Sequence, residues 1–202
     1  MDRRLPFFLM LAALLVFLPE GVVGQDIPSW TGFEQHRQQI NKTGMLVLGT
    51  WAVGNILTGA YGNFTTTGQA RYFLQMNAMW NVVNLGIATF GYVNAVNADP
   101  FSMGLSQVVG EYTTLQNILL LNAGLDVAYM TAGFYLRERS KTASKAEMLK
   151  GYGNGLILQG AFLFVFDIVL YFIHRNHATI KLYPIIDKLG EGGVGLGVGM
   201  QF

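Results

Sequence analysis

Residues 115–136 read LQNILLLNAGLDVAYMTAGFYL, a run with no Lys, Arg or Glu and one carboxylate, Asp126, near its middle. As a helix rising 1.5 Å per residue this run reaches about 33 Å, enough to cross the ~30 Å hydrocarbon layer of a bilayer. A carboxylate at that depth costs ~2.5–3.5 kcal/mol on insertion scales, so it is expected to face a bundle interior. The spacing agrees. Asn122, Asp126, Tyr129 and Gly133 recur at i, i+4, i+7 and i+11, which is one face of a helix.

Three further apolar stretches repeat the pattern. Spans are expected at 44–62, 73–96, 115–136 and 154–174, with Asn55, Asn84, Asp126 and Asp167 near mid-depth. Asn77, Asn81 and Asn84 share one face of the second span, and Gly160, Asp167, Tyr171 and His174 share one face of the fourth. Unpaired polar groups in hydrocarbon cost several kcal/mol, so these stripes should converge. The expected fold is an all-α integral membrane protein, a four-transmembrane-helix bundle with a polar-lined interior.

Composition fits. The chain has 202 residues, 51% hydrophobic and 12% charged, against ~25% charged in ordinary soluble domains. A net charge of +1 offers no basic footprint for nucleic acid. There is no cysteine, which excludes disulfides, thiolate metal sites and cysteine nucleophiles.

Residues 1–24 read as a cleavable signal peptide: Arg3 and Arg4 precede the apolar stretch Leu5 to Leu18, and Val22 and Gly24 are small residues before Gln25. An amphipathic lead-in over 25–43 follows, with Thr31 and Glu34 spaced as a capping box. Arg137, Arg139, Lys141, Lys145 and Lys150 crowd the 137–152 loop, and Arg71 lies in the 63–72 loop, whereas 97–114 has no Lys or Arg. The positive-inside rule then puts both termini outside the cytoplasm. Beyond Asp99-Pro100, Ser102 is the expected N-cap of a third helix that begins before the membrane.

The segment 175–202 reads as an extracytoplasmic tail. At its end Val194, Leu196, Val198, Met200 and Phe202 alternate with Gly and Gln. That period-two pattern suits a short strand docking on a partner's sheet edge, or a flexible Gly-rich tail. The halves also echo each other faintly. Asn55/Gly62 and Asp126/Gly133 have equal spacing, and the second and fourth spans both open with Leu-Gln (Leu74-Gln75, Leu158-Gln159).

Two roles are open for the polar core of Asn55, Asn77, Asn81, Asn84, Asn122, Asp126, Tyr129, Asp167 and Tyr171. It fixes helix packing through interhelical hydrogen bonds, or it conducts protons or ions with Asp126 and Asp167 as titrating groups. Gly124, Ala128 and Ala132 form a small-xxx-small ridge expected to serve helix packing. His36, His174 and His177 all fall on the outside and are the candidates for a metal or redox site, which would need a further ligand such as Asp26 or Glu34. No phosphate loop, dinucleotide fingerprint, serine-hydrolase elbow or zinc-protease motif occurs. No cofactor is expected and the chain reads as non-enzymatic.

The blocks Trp51-Ala52-Val53-Gly54-Asn55 and Gln75-Met76-Asn77-Ala78-Met79-Trp80-Asn81, followed by Val83-Asn84, resemble a family of uncharacterised bacterial membrane proteins with a signal peptide and about four spans. That resemblance carries no activity. The expected location is the bacterial cell envelope, the inner membrane before the outer. The expected function is a subunit or scaffold of an envelope complex, in contact with membrane lipid and with protein partners or further copies of itself. A small transporter or ion-conducting protein is the alternative.

Overall fold

The structure is a computed structural model that describes residues 30–191. Those residues form four long helices and a short one: α1 (Trp30–Thr65), α2 (Gly68–Asn97), α3 (Leu105–Arg139), α4 (Ala146–Lys181) and α5 (Tyr183–Glu191). No strand occurs among the described residues. The signal peptide expected over 1–24 and the alternating stretch from Val194 to Phe202 lie outside them.

The order of packing follows from the links. Two residues join α1 to α2, so these helices run antiparallel as a hairpin, and α3 and α4 form a second hairpin packed as extensively. The hairpins meet mainly through α2 and α4, while α1 and α3 touch chiefly through side chains at the end that holds Trp30. Gly68 begins α2 at φ +58°, a left-handed conformation that disfavours other residues. A Cβ there would also lie 2.9 Å from the Glu147 carboxylate of α4. The first turn of α2 can therefore sit directly against the second hairpin.

Glycines set the second hairpin's closeness. A Cβ on Gly133 of α3 would lie 2.6 Å from the carbonyl oxygen of Gly153 of α4, and the converse holds for Gly153 and the Gly133 carbonyl. The expected ridge of Gly124, Ala128 and Ala132 does not make this contact. All three are exposed, and a Cβ on Gly124 would meet no neighbour. Small residues three and four apart show that they share a face, and here that face points outward.

Each long helix exceeds the hydrocarbon thickness; thirty-five residues of α3 reach about 52 Å. The surplus builds packed ends. At the end holding Trp30, Phe33 of α1 packs with Val108 and Tyr112 of α3, Ala178 of α4 and Leu182 beside α5. Nearer mid-length Val47, Leu48, Ala88, Leu119, Phe162, Phe166 and Leu170 bring all four long helices into one core.

Two expectations about ends are corrected. The helix of the expected fourth span does not stop at 174: α4 runs to Lys181 and, after Leu182, α5 follows, so the segment expected as a tail from 175 begins as helix. Nor does Ser102 cap α3. Its hydroxyl donates to the Asp99 carbonyl, while α3 begins after Gly104, whose N–H donates to the Gln107 side chain.

The outside is apolar. Leu46, Val53 and Leu57 on α1, Val82, Val83, Ile87 and Phe90 on α2, Leu121, Leu125 and Phe134 on α3, and Phe172 on α4 are all exposed. Exposed threonines on these faces return their hydroxyls to their own helix: Thr50 to Leu46, Thr58 to Gly54, Thr89 to Leu85 and Thr131 to Val127, each at 2.7–2.8 Å. Such back-bonding satisfies a hydroxyl without water. Three helices (α1, α3 and the α4–α5 run) are long and apolar enough to cross a membrane. The second helix falls short because Gln75, Asn77, Asn81, Asn84 and Asn94 lower its hydropathy.

Candidate functional site

The polar residues of α2 are turned inward. Asn77, Asn81 and Asn84 are buried, in keeping with their shared face. Opposite them stands Gln159 of α4, which is 0% exposed. Its Nε2 donates to Asn77 Oδ1 at 2.6 Å and lies 3.4 Å from Asn55 Oδ1, while its Oε1 accepts from the Trp51 indole N–H at 3.0 Å. One carboxamide thus ties α4 to both helices of the first hairpin. Trp51 also stacks on Phe162, with ring centroids 3.9 Å apart.

The remaining amides complete a neutral network. Asn55 donates to the Trp51 carbonyl, Asn77 to the Phe73 carbonyl, Asn81 to the Asn77 carbonyl, and Asn84 to Asn81 Oδ1. An amide carries donors and acceptors together, so such a group can close on itself. Towards the link between α1 and α2, Asn63 Oδ1 accepts from both Gln75 and Arg71.

A second junction joins α3 to α4. Asp126 is 3% exposed and Asp167 is 6% exposed. Their carboxyl groups lie within hydrogen-bonding reach of each other. Oδ2 of Asp126 has no protein partner. Beside this pair Tyr129 meets Trp80 of α2 edge to face at 4.6 Å. Asn122 and Tyr171 are half-buried, and the Tyr171 backbone carbonyl accepts a long bond from Gln116 at 3.4 Å.

A third polar group sits at the Trp30 end. Glu34, 0% exposed, holds Arg37 through two hydrogen bonds of 2.6 and 2.7 Å, and Arg37 also reaches Glu111 of α3 at 2.6 Å. Gln38 donates to the same Glu34 at 3.0 Å. Glu34 therefore serves an ion pair within α1, which Arg37 extends to Glu111 of α3, rather than a capping box. An arginine fork matched to a carboxylate is the strong form of this interaction.

The histidines gather here without forming a ligand set. His36 and His177 stack at 4.5 Å, and His177 Nε2 pairs with the Phe33 carbonyl at 3.1 Å. His174 is buried with neither ring nitrogen bonded. Among the described residues no three His, Asp or Glu side chains converge as a metal would require.

Gln159 and the Glu34–Arg37–Glu111 bridge are the residues that spacing did not single out. Gln159 lay in view as part of the Leu158-Gln159 echo, and a lone carboxamide inside an apolar run was the signal to weigh. Glu111 is 74 positions from Arg37, and no local pattern links them.

A model of a family of unknown function (DUF6992) matches residues 47–168. The match covers more than half of the chain, which belongs to that family. It takes in both the amide junction and the acid pair. No curated protein and no solved structure matches the chain.

Proposed function

We propose that this member of the family is a non-enzymatic integral membrane protein of the bacterial envelope, a four-span scaffold or subunit whose polar core fixes helix packing. The observation that carries the reading is Gln159: a fully buried carboxamide bonded to Trp51 and Asn77 behind an apolar exterior. Polar inside and apolar outside is the arrangement a bilayer demands. All four long helices cross in this reading. The Asn residues that lower the hydropathy of α2 face inward, and Met79, Val82, Val83, Ile87 and Phe90 face the lipid.

Arg71, Arg137, Arg139, Lys141, Lys145 and Lys150 mark one end of the bundle, which becomes the cytoplasmic end by the positive-inside rule. The end built by Trp30, Arg37, Glu111 and α5 then lies outside, and the tail that follows it is the proposed docking strand for a protein partner. Gentle extraction of the full chain tests this. The expected result is a stoichiometric partner, or a further copy of the chain, that is lost on deleting residues 190–202. A protein that purifies alone and passes protons contradicts it.

The reading as a small conducting protein rests on a different observation, the unpartnered Oδ2 of Asp126. It requires flux that falls in Asp126→Asn or Asp167→Asn.

A further inference from the structure

We infer that a cavity at the α3–α4 turn holds one anionic glycerophospholipid, its phosphate between Arg137 and Lys150 and an acyl chain along the outer face of α3. The cavity has a volume of about 1070 Å³, at the upper end of the ~300–1,000 Å³ usual for small-molecule sites. Arg137 of α3, Lys150 of α4 and Gln69 of α2 all line it, so three helices supply hydrogen-bond donors.

Two of its cations lack an internal partner. Lys141 pairs with Glu138 at 2.6 Å, whereas the Arg137 and Lys150 side chains make no ion pair or hydrogen bond among the described residues. The other carboxylate on the wall, Glu147, lies beside Gly68, where the positive end of the α2 dipole already engages it. Arg137 is also held in place. Its stem lies over Gly153 of α4, where a Cβ would come within 2.9 Å of Arg137 Cγ. A guanidinium fork fixed in this way suits two phosphate oxygens.

The apolar wall says which phosphate. Leu120, Val127, Thr131 and Phe134 fall at i, i+7, i+11 and i+14, one face of α3. Leu120, Val127 and Phe134 are exposed, and Thr131 returns its hydroxyl to Val127. That stripe runs into the cavity, where Thr131 and Phe134 form part of the wall. A soluble anion would leave the stripe bare. A lipid covers it with an acyl chain while its phosphate meets the cations. A choline headgroup would bring an ammonium against Arg137 and Lys150, so an anionic headgroup is preferred.

A lipid site presupposes the membrane reading above, and the test separates the two. The full chain is placed in nanodiscs of equal phosphatidylglycerol and phosphatidylcholine, and the lipids that stay bound on release are counted by native mass spectrometry. Wild type should retain one phosphatidylglycerol per chain, about tenfold in preference to phosphatidylcholine. The R137Q/K150Q double variant should lose that preference. The R139Q/K145Q variant, which removes equal charge at the same end but off the cavity wall, should keep it. Equal retention of the two lipids by wild type would overturn the proposal, even where a variant fails to fold. So would an undiminished preference in R137Q/K150Q, or an equal loss in both variants, the mark of a diffuse field. Displacement of the lipid by millimolar glycerol phosphate would do so too, since it marks a site for a soluble anion. A chain that alkaline carbonate strips from membranes would sink the membrane reading and the lipid site with it.

Discussion

The amide junction around Gln159 and the acid pair of Asp126 and Asp167 are both buried and both join helices, yet they close by different chemistry. Gln159 gives an N–H to Asn77 and takes one from Trp51, so its satisfaction comes wholly from the chain. The acids bring acceptors alone and leave Asp126 Oδ2 without a protein partner. A neutral network holds the first hairpin to α4 under any condition that keeps the fold. The α3–α4 junction is left open at that oxygen. Two polar contacts of similar burial therefore differ in how fully the chain satisfies them.

The largest effect should come from Gln159→Leu. It leaves the Trp51 N–H and Asn77 Oδ1 without their partner, at ~1–3 kcal/mol for each buried group. Unfolding in mixed detergent should show a loss of roughly 3 kcal/mol in total. A change under about 0.5 kcal/mol, the range of uninvolved surface positions, would mean the junction is not what holds the hairpin to α4. Next is Gly160→Ala, which pushes a methyl toward the Asp126 carbonyl. Overpacking of this kind costs ~1–3 kcal/mol, and the same unfolding assay should show it.

Asp126→Asn and Asp167→Asn should be milder, below about 1 kcal/mol, because an amide keeps the shape and one acceptor of the acid it replaces and adds N–H donors for the other. The same unfolding assay checks this, and a loss of ~3–5 kcal/mol in either variant, the cost of leaving a buried charge unpaired, would contradict it. The smallest effect is expected at Gly124→Leu. That position is exposed and its Cβ would meet nothing, so monomer stability should not fall, and losing a mid-helix glycine should raise it by at most ~1 kcal/mol.

Helical periodicity made the interior stripes legible: Asn77, Asn81, Asn84, Asp126 and Asp167 are all buried. Spacing reports which residues share a helix face, but not which neighbour that face meets. That is why Gly124, Ala128 and Ala132 read as packing residues while Gly133 and Gly153 make the close contact. The same limit hid Glu111, whose partner Arg37 lies on another helix. Gln159 was concealed differently, since one carboxamide in an apolar run has no periodic companion to mark its face. The last turns of α4 and the whole of α5 are hard to read from spacing because charge and Pro184 break up the apolar pattern.

The central claim is that this polar interior holds helices rather than moving ions. It is tested most directly by reconstituting the full chain in sealed vesicles and following an internal pH dye under an imposed proton gradient. The account predicts a decay no faster than in protein-free vesicles, identical for wild type, Asp126→Asn and Asp167→Asn. Rapid decay with wild type that is lost in either variant would contradict it.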